Sequence, residues 1–116
     1  MNTVTLVGNL ASDVELKEVG EGRKVASFLL AVDRPTKEDA ADFVWVSAWD
    51  RQAELCDEYL GKGHLVGVEG RLRSRSWEDE DGIRHNAVDV TAGRVRFIAR
   101  PSRAEAEPAI EEAVMA

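Results

Sequence analysis

Cys56 is the only cysteine in the 116 residues, so no internal disulfide can form and no cysteine cluster can hold zinc. His64 and His85 are the only histidines and stand too far apart in the sequence to supply a metal site. A nucleophilic role for Cys56 needs a paired base; none is visible, and the residue reads as a small buried hydrophobe. No apolar run approaches the roughly 18 residues that a membrane helix requires. The opening Met-Asn-Thr-Val-Thr-Leu-Val-Gly lacks the basic n-region and long apolar h-region of a secretory signal. The expectation is a cytoplasmic, single-domain protein without membrane, cofactor, metal or catalytic centre.

Positive charge is also scarce. Fifteen Lys and Arg face 22 Asp and Glu, a net charge of −7, which argues against crude attraction to polyanions. The deficit is uneven, because residues 101–116 hold one arginine against four glutamates. Against this background Arg71-Leu-Arg-Ser-Arg-Ser-Trp77 is a local departure. In an extended strand, a period of two puts Arg71, Arg73, Arg75 and Trp77 on one face, a phosphate-binding stripe that ends in a stacking platform. Phe43, Trp45, Trp49 and Arg51 repeat the combination of rings and charge earlier in the chain. The acidic run Glu78 to Asp81 would be the candidate for an enzyme's metal cage, but it reads as a solvated turn.

The elements follow from the apolar periodicity. Val4, Leu6 and Leu10 open a first strand, in which Gly8-Asn9 marks a bulge or bend. A turn at Gly20-Glu21-Gly22 leads to a second strand, Val25 to Val32, and Arg34 to Asp42 is a polar loop. In the third strand, Phe43 to Trp49, Val44, Val46 and Ala48 share the inner face while Phe43, Trp45, Ser47 and Trp49 share the outer. Asp50 is the expected N-cap of a three-turn helix that ends at Gly61. Leu65 to Trp77 is a long fourth strand with Val66, Val68 and Leu72 pointing one way, Asp81-Gly82 a hairpin turn, and Ala87 to Ile98 the return strand, broken at Ala92-Gly93. Three strands, a helix and two strands is the order of an all-β OB-fold, a five-stranded Greek-key barrel with one helix between its third and fourth strands.

With that order in place, Val4-Thr-Leu-Val-Gly-Asn-Leu10 with Asp13, Val25-Ala-Ser-Phe28, Tyr59-Leu-Gly-Lys-Gly63 and Val68-Glu-Gly-Arg-Leu-Arg-Ser-Arg-Ser-Trp77 resemble the landmarks of the bacterial single-stranded DNA-binding protein family. The resemblance covers roughly residues 2–98. It implies base stacking on Phe43, Trp49 and Trp77 and phosphate contacts from Arg51 and Lys62, to which strand parity adds Arg71, Arg73 and Arg75. Trp45 stands where the family pattern is often polar or basic and reads as an added ring. The function implied is single-stranded DNA binding with little sequence preference in replication, recombination and repair, by a nucleoid-associated homotetramer. The alternatives are a paralogue specialised for primosome assembly, recombination or DNA uptake, and an OB protein that binds single-stranded RNA.

Two departures from the family pattern stand out. The loop before the third strand has no aromatic where familiar members carry another stacking tryptophan. The chain also lacks a long Gly/Pro/Gln-rich linker and an acidic Pro-Phe tip, so recruitment of replication and repair enzymes through a C-terminal tip is not expected. Residues 1–100 read as the OB domain and 101–116 as a short, disordered acidic tail. The competing reading of that tail is a short helix with Ile110 and Val114 on one side.

Overall fold

The computed structural model describes residues 1–35, 40–99 and 101. Its elements are β1 (Val4–Leu10), β2 (Glu15–Glu18), β3 (Lys24–Asp33), β4 (Ala41–Trp49), α1 (Asp50–Tyr59), β5 (Leu65–Glu78) and β6 (Arg84–Ala99). The sheet runs β1-β5-β6-β4-β3-β2, and a further β1–β3 pairing closes it between β1 and the strand next to the far edge. Five strands therefore form a closed circuit, as the sequence led us to expect. The sixth, β2, pairs with β3 alone and was not foreseen. Its four residues, Glu-Leu-Lys-Glu, carry no alternation that separates them from a loop.

Alternation decides which side chains enter the barrel. Ala26, Phe28 and Leu30 of β3, Val46 and Ala48 of β4, Val66 and Val68 of β5 and Val90 of β6 are buried there. Ala53, Cys56 and Leu60, from α1 and its exit, join the same cluster. Each large apolar side chain taken fully from water contributes roughly 1.5–3 kcal/mol. Closure also demands close backbone approach. A Cβ on Gly8 would lie 2.3 Å from the carbonyl oxygen of Ala31 on β3, so only glycine lets β1 swing from β5 to β3 at this point.

Several local expectations change. The N-cap position is held by Trp49 without a side-chain hydrogen bond, not by Asp50. Asp50 takes a left-handed φ of 54°, and its carboxylate accepts from the Arg23 guanidinium at 2.8 Å and from the backbone N–H of Lys24 at 3.3 Å. The carboxylate is thus drawn to the β2–β3 hairpin instead of the helix amides. β6 is continuous through Ala92-Gly93. The pairing passes from Glu69–Arg94 to Gly70–Ala92, which leaves Gly93 as the extra residue of a bulge. Leu72 does not reach the core and is 48% exposed; β1, the other strand partner of β5, pairs with it only as far as Gly70. The loop residues 36–39 and the tail beyond 101 lie outside the described residues, and so does the candidate tail helix.

Candidate nucleic-acid interface

β4 alternates as its sequence predicts. Val46 and Ala48 are buried, and Phe43 and Trp45 stand outward at 61% and 50% exposure, with Trp49 half-buried on the same face. β6 runs beside β4, pairing Val46 with Val90 and Ser47 with Thr91 in parallel. β5 lies on its far side, where the register sets Arg71 opposite Thr91, Arg73 opposite Asp89 and Trp77 opposite His85. Directly paired residues share a face. The rings of β4 and the arginines of β5 therefore look out from one continuous surface spanning β3, β4, β6 and β5.

The centre of this surface is a groove. One part, of about 290 Å³, is lined by Ser27, Trp45, Ser47, Arg75 and Asp89. The adjoining part, of about 340 Å³, is bordered by Trp49, Arg73, Arg75 and Thr91, again with Ser47 and Asp89. Hydroxyls and one carboxylate form its floor, and indole rings and guanidinium groups its rim. Phe43 extends the ring row along β4, and Arg71 and Trp77 extend the basic row along β5. Arg51 sits in the first turn of α1, two residues after Trp49. Lys62 does not line the groove. It lies in the α1–β5 connection, where its backbone N–H is held by Asp13 Oδ1 at 3.0 Å. Among the described residues, Arg51, Lys62, Arg71 and Arg73 have no ion-pair partner.

Two rings are already engaged. The Arg23 guanidinium lies 4.9 Å from the centre of the Trp49 ring, held in place by Asp50. Hydrogen bonding from Arg23 and from the Lys24 amide keeps the Asp50 carboxyl below the usual range. Trp77, 44% exposed, stacks on His85 with centroids 5.5 Å apart and 22° between planes, and Arg75 lies 5.1 Å from its centre. His85 Nε2 meets Asp79 Oδ2 at 2.7 Å. Asp79 Oδ1 also accepts from the backbone N–H groups of Asp81 and Ile83, each at 2.9 Å. These bonds, that to His85 foremost, lower the Asp79 pKa. Glu78 to Asp81 thus includes the fold's hairpin turn, with Asp79 as its organiser. Burial alone pushes the Cys56 thiol up to about 11, far from the reactive range.

Sequence reasoning missed Arg23, His85 and Asp89. Ser47 was placed on the outer face by parity, but the partners of the other three depend on cross-strand register, which no local pattern reveals. Asp89 is the consequential omission, because it stands in the groove with its Oδ2 2.5 Å from Arg75 Nε.

No helix among the described residues is long and apolar enough to cross a membrane. The chain is 44% identical over 102 residues to the single-stranded DNA-binding protein of Clostridium tetani (strain Massachusetts / E88), a match covering 84% of this chain and 70% of that one. It is equally similar to single-stranded DNA-binding protein 3 of Clostridium acetobutylicum, with 71% of that chain covered. Identity to single-stranded DNA-binding protein 1 of Staphylococcus aureus (strain MSSA476) is 40%, covering 65% of it. The model of the single-strand binding protein family matches residues 1–98, the whole of the barrel short of its last residue, and on this match the chain belongs to that family.

Proposed function

We propose that this chain binds single-stranded DNA across the outer face of β3, β4, β6 and β5, without catalysing any reaction. Bases stack on Phe43, Trp45, Trp49 and Trp77, each ring contributing roughly 1–3 kcal/mol. Arg71 and Arg73 take phosphates beside them, with Arg51 at the α1 end and Lys62 beyond the groove. Stacking is blind to base identity because every base offers a π-face, so sequence preference is small. The observation that carries the reading is the outward display of four large rings on the same surface as an arginine row in an acidic protein. In the cell this activity would protect exposed strands during replication, recombination and repair, in the cytoplasm at the nucleoid. Residues 1–100 form the binding domain in this reading, and 101–116 an acidic tail.

A homotetramer fits the same reading. Val7, Tyr59, Phe97 and Ile98 are exposed, and Tyr59, Phe97 and Ile98 border an apolar hollow of about 380 Å³ with Leu60 and His64. Light scattering with and without oligo-dT measures this assembly.

Titration of intrinsic tryptophan fluorescence tests the binding. Single-stranded DNA should quench it at far lower concentration than the same sequence as duplex, whose base faces are hidden. Equal responses to the two would reject base stacking.

A further inference from the structure

Asp89 is a carboxylate on the floor of a groove built to receive phosphodiesters. It is the only acidic residue among those that line either part of the groove. Its side chain is 18% exposed, and the strand that carries it is fixed on both sides, by β5 and by β4. Its backbone stays in place, paired with Arg73 of β5, when a strand arrives. Although Arg73 is its direct cross-strand partner, its Oδ2 takes the Nε of the diagonal neighbour Arg75.

Nε is one of the N–H groups with which a guanidinium grips an oxyanion in bidentate fashion. With Nε occupied that edge is closed, and the adjacent opposite charges cancel toward an incoming phosphate. Arg73, by contrast, carries no ion pair among the described residues. Two arginines that parity makes equivalent are therefore different ligands.

We propose that Asp89 is an affinity-determining residue of the groove: it occupies Arg75 as a phosphate surrogate, so that Arg75 contacts DNA only by exchanging its carboxylate partner for a phosphate. The exchange leaves a partly buried carboxylate unpaired beside the new phosphate, and binding is weaker than the arginine count implies. The proposal rests on the DNA-binding reading above and adds to it the inequality of Arg73 and Arg75.

A double-mutant cycle tests it on the full chain. Affinity for oligo-dT is measured by tryptophan quenching over a salt series for the wild type, Arg75→Ala, Asp89→Asn and the double variant, with thermal unfolding of each as a check on folding. Asp89→Asn should tighten binding roughly fivefold at low salt, the scale of one exposed charge interaction. It should also steepen the slope of log affinity against log salt by about 0.7, one added phosphate contact. Arg75→Ala should uncover Asp89 and weaken binding in the wild-type background without lowering the salt slope, and should cost more affinity, with about 0.7 of slope, in the Asn background. Equal costs in both backgrounds would overturn the proposal in favour of general repulsion by Asp89, and weaker binding by Asp89→Asn would overturn it in favour of Asp89 orienting Arg75. Asp89→Ser, which adds another hydroxyl beside those of Ser27 and Ser47, carries the same comparison if the amide lowers the melting temperature. Absence of single-strand binding by the wild type would refute the binding reading itself, a result distinct from a cycle without coupling.

Discussion

The two halves of β5 share one hydrogen-bonded partner and one alternation, yet have opposite fates. From Leu65 to Gly70 the strand is barrel wall, with Val66 and Val68 fully buried. From Arg71 to Glu78 every side chain is exposed, including Leu72, whose parity matches that of the two valines. A strand's period determines which residues share a face, but what lies behind that face determines whether it becomes core. Behind Val68 stand the other walls of a closed barrel. Along the outer stretch of β5 the pairing with β1 has ended at Gly70, and β6 is its one strand partner.

Aspartate placed in each half should break the comparison most sharply. Val68→Asp buries an unpaired charge and should cost about 4–5 kcal/mol or more, enough to unfold many domains. Leu72→Asp should stay within about 0.5 kcal/mol. Urea or thermal unfolding measures both, and comparable losses would mean that the arm is packed in solution. Within the arm, Trp77→Ala should weaken oligo-dT binding by roughly 1–3 kcal/mol with little change in salt slope. Arg73→Ala should instead reduce the slope by about 0.7. Isothermal titrations across a salt series separate the two.

The smallest effect expected is at the tip of the arm. Asp79 has its pKa lowered in the folded state, so the stabilisation it gives is present above its unfolded value and is lost as pH falls through the folded one. Acid should therefore loosen the His85–Trp77 stack before it melts the barrel, which Trp77 emission would report, and Asp79→Asn should remove that early step.

The same contrast explains what the sequence revealed. The barrel was legible because its strands alternate strongly: Val25 to Val32, Phe43 to Trp49 and the valines of β5 each announce a face. The rings of β4 were legible for the same reason, since Val44, Val46 and Ala48 claim the inside. β2 was not, having one apolar residue in four. Asp50 is a good capping residue by type, but Arg23, brought beside it by the β2–β3 hairpin, offers a charged partner that helix amides do not match. Leu72 was misplaced because alternation carries no information about where a barrel wall ends. Asp89 and His85 were missed because their meaning lies in what they oppose across β5, and which residues oppose each other cannot be read from either strand alone.

The seam between β4 and β6 has a consequence in time. Only Val46–Val90 and Ser47–Thr91 pair across it, joining positions far apart in the chain, whereas β3–β4 and β5–β6 are hairpins of neighbouring segments. Loop-closure entropy and contact order place such a distant junction after the local ones. The groove straddles this seam, with Trp45 and Ser47 contributed from one bank and Asp89 and Thr91 from the other. A nascent chain with both hairpins formed would hold the residues of the groove and still have no groove, so competence to bind waits on the closing of this seam.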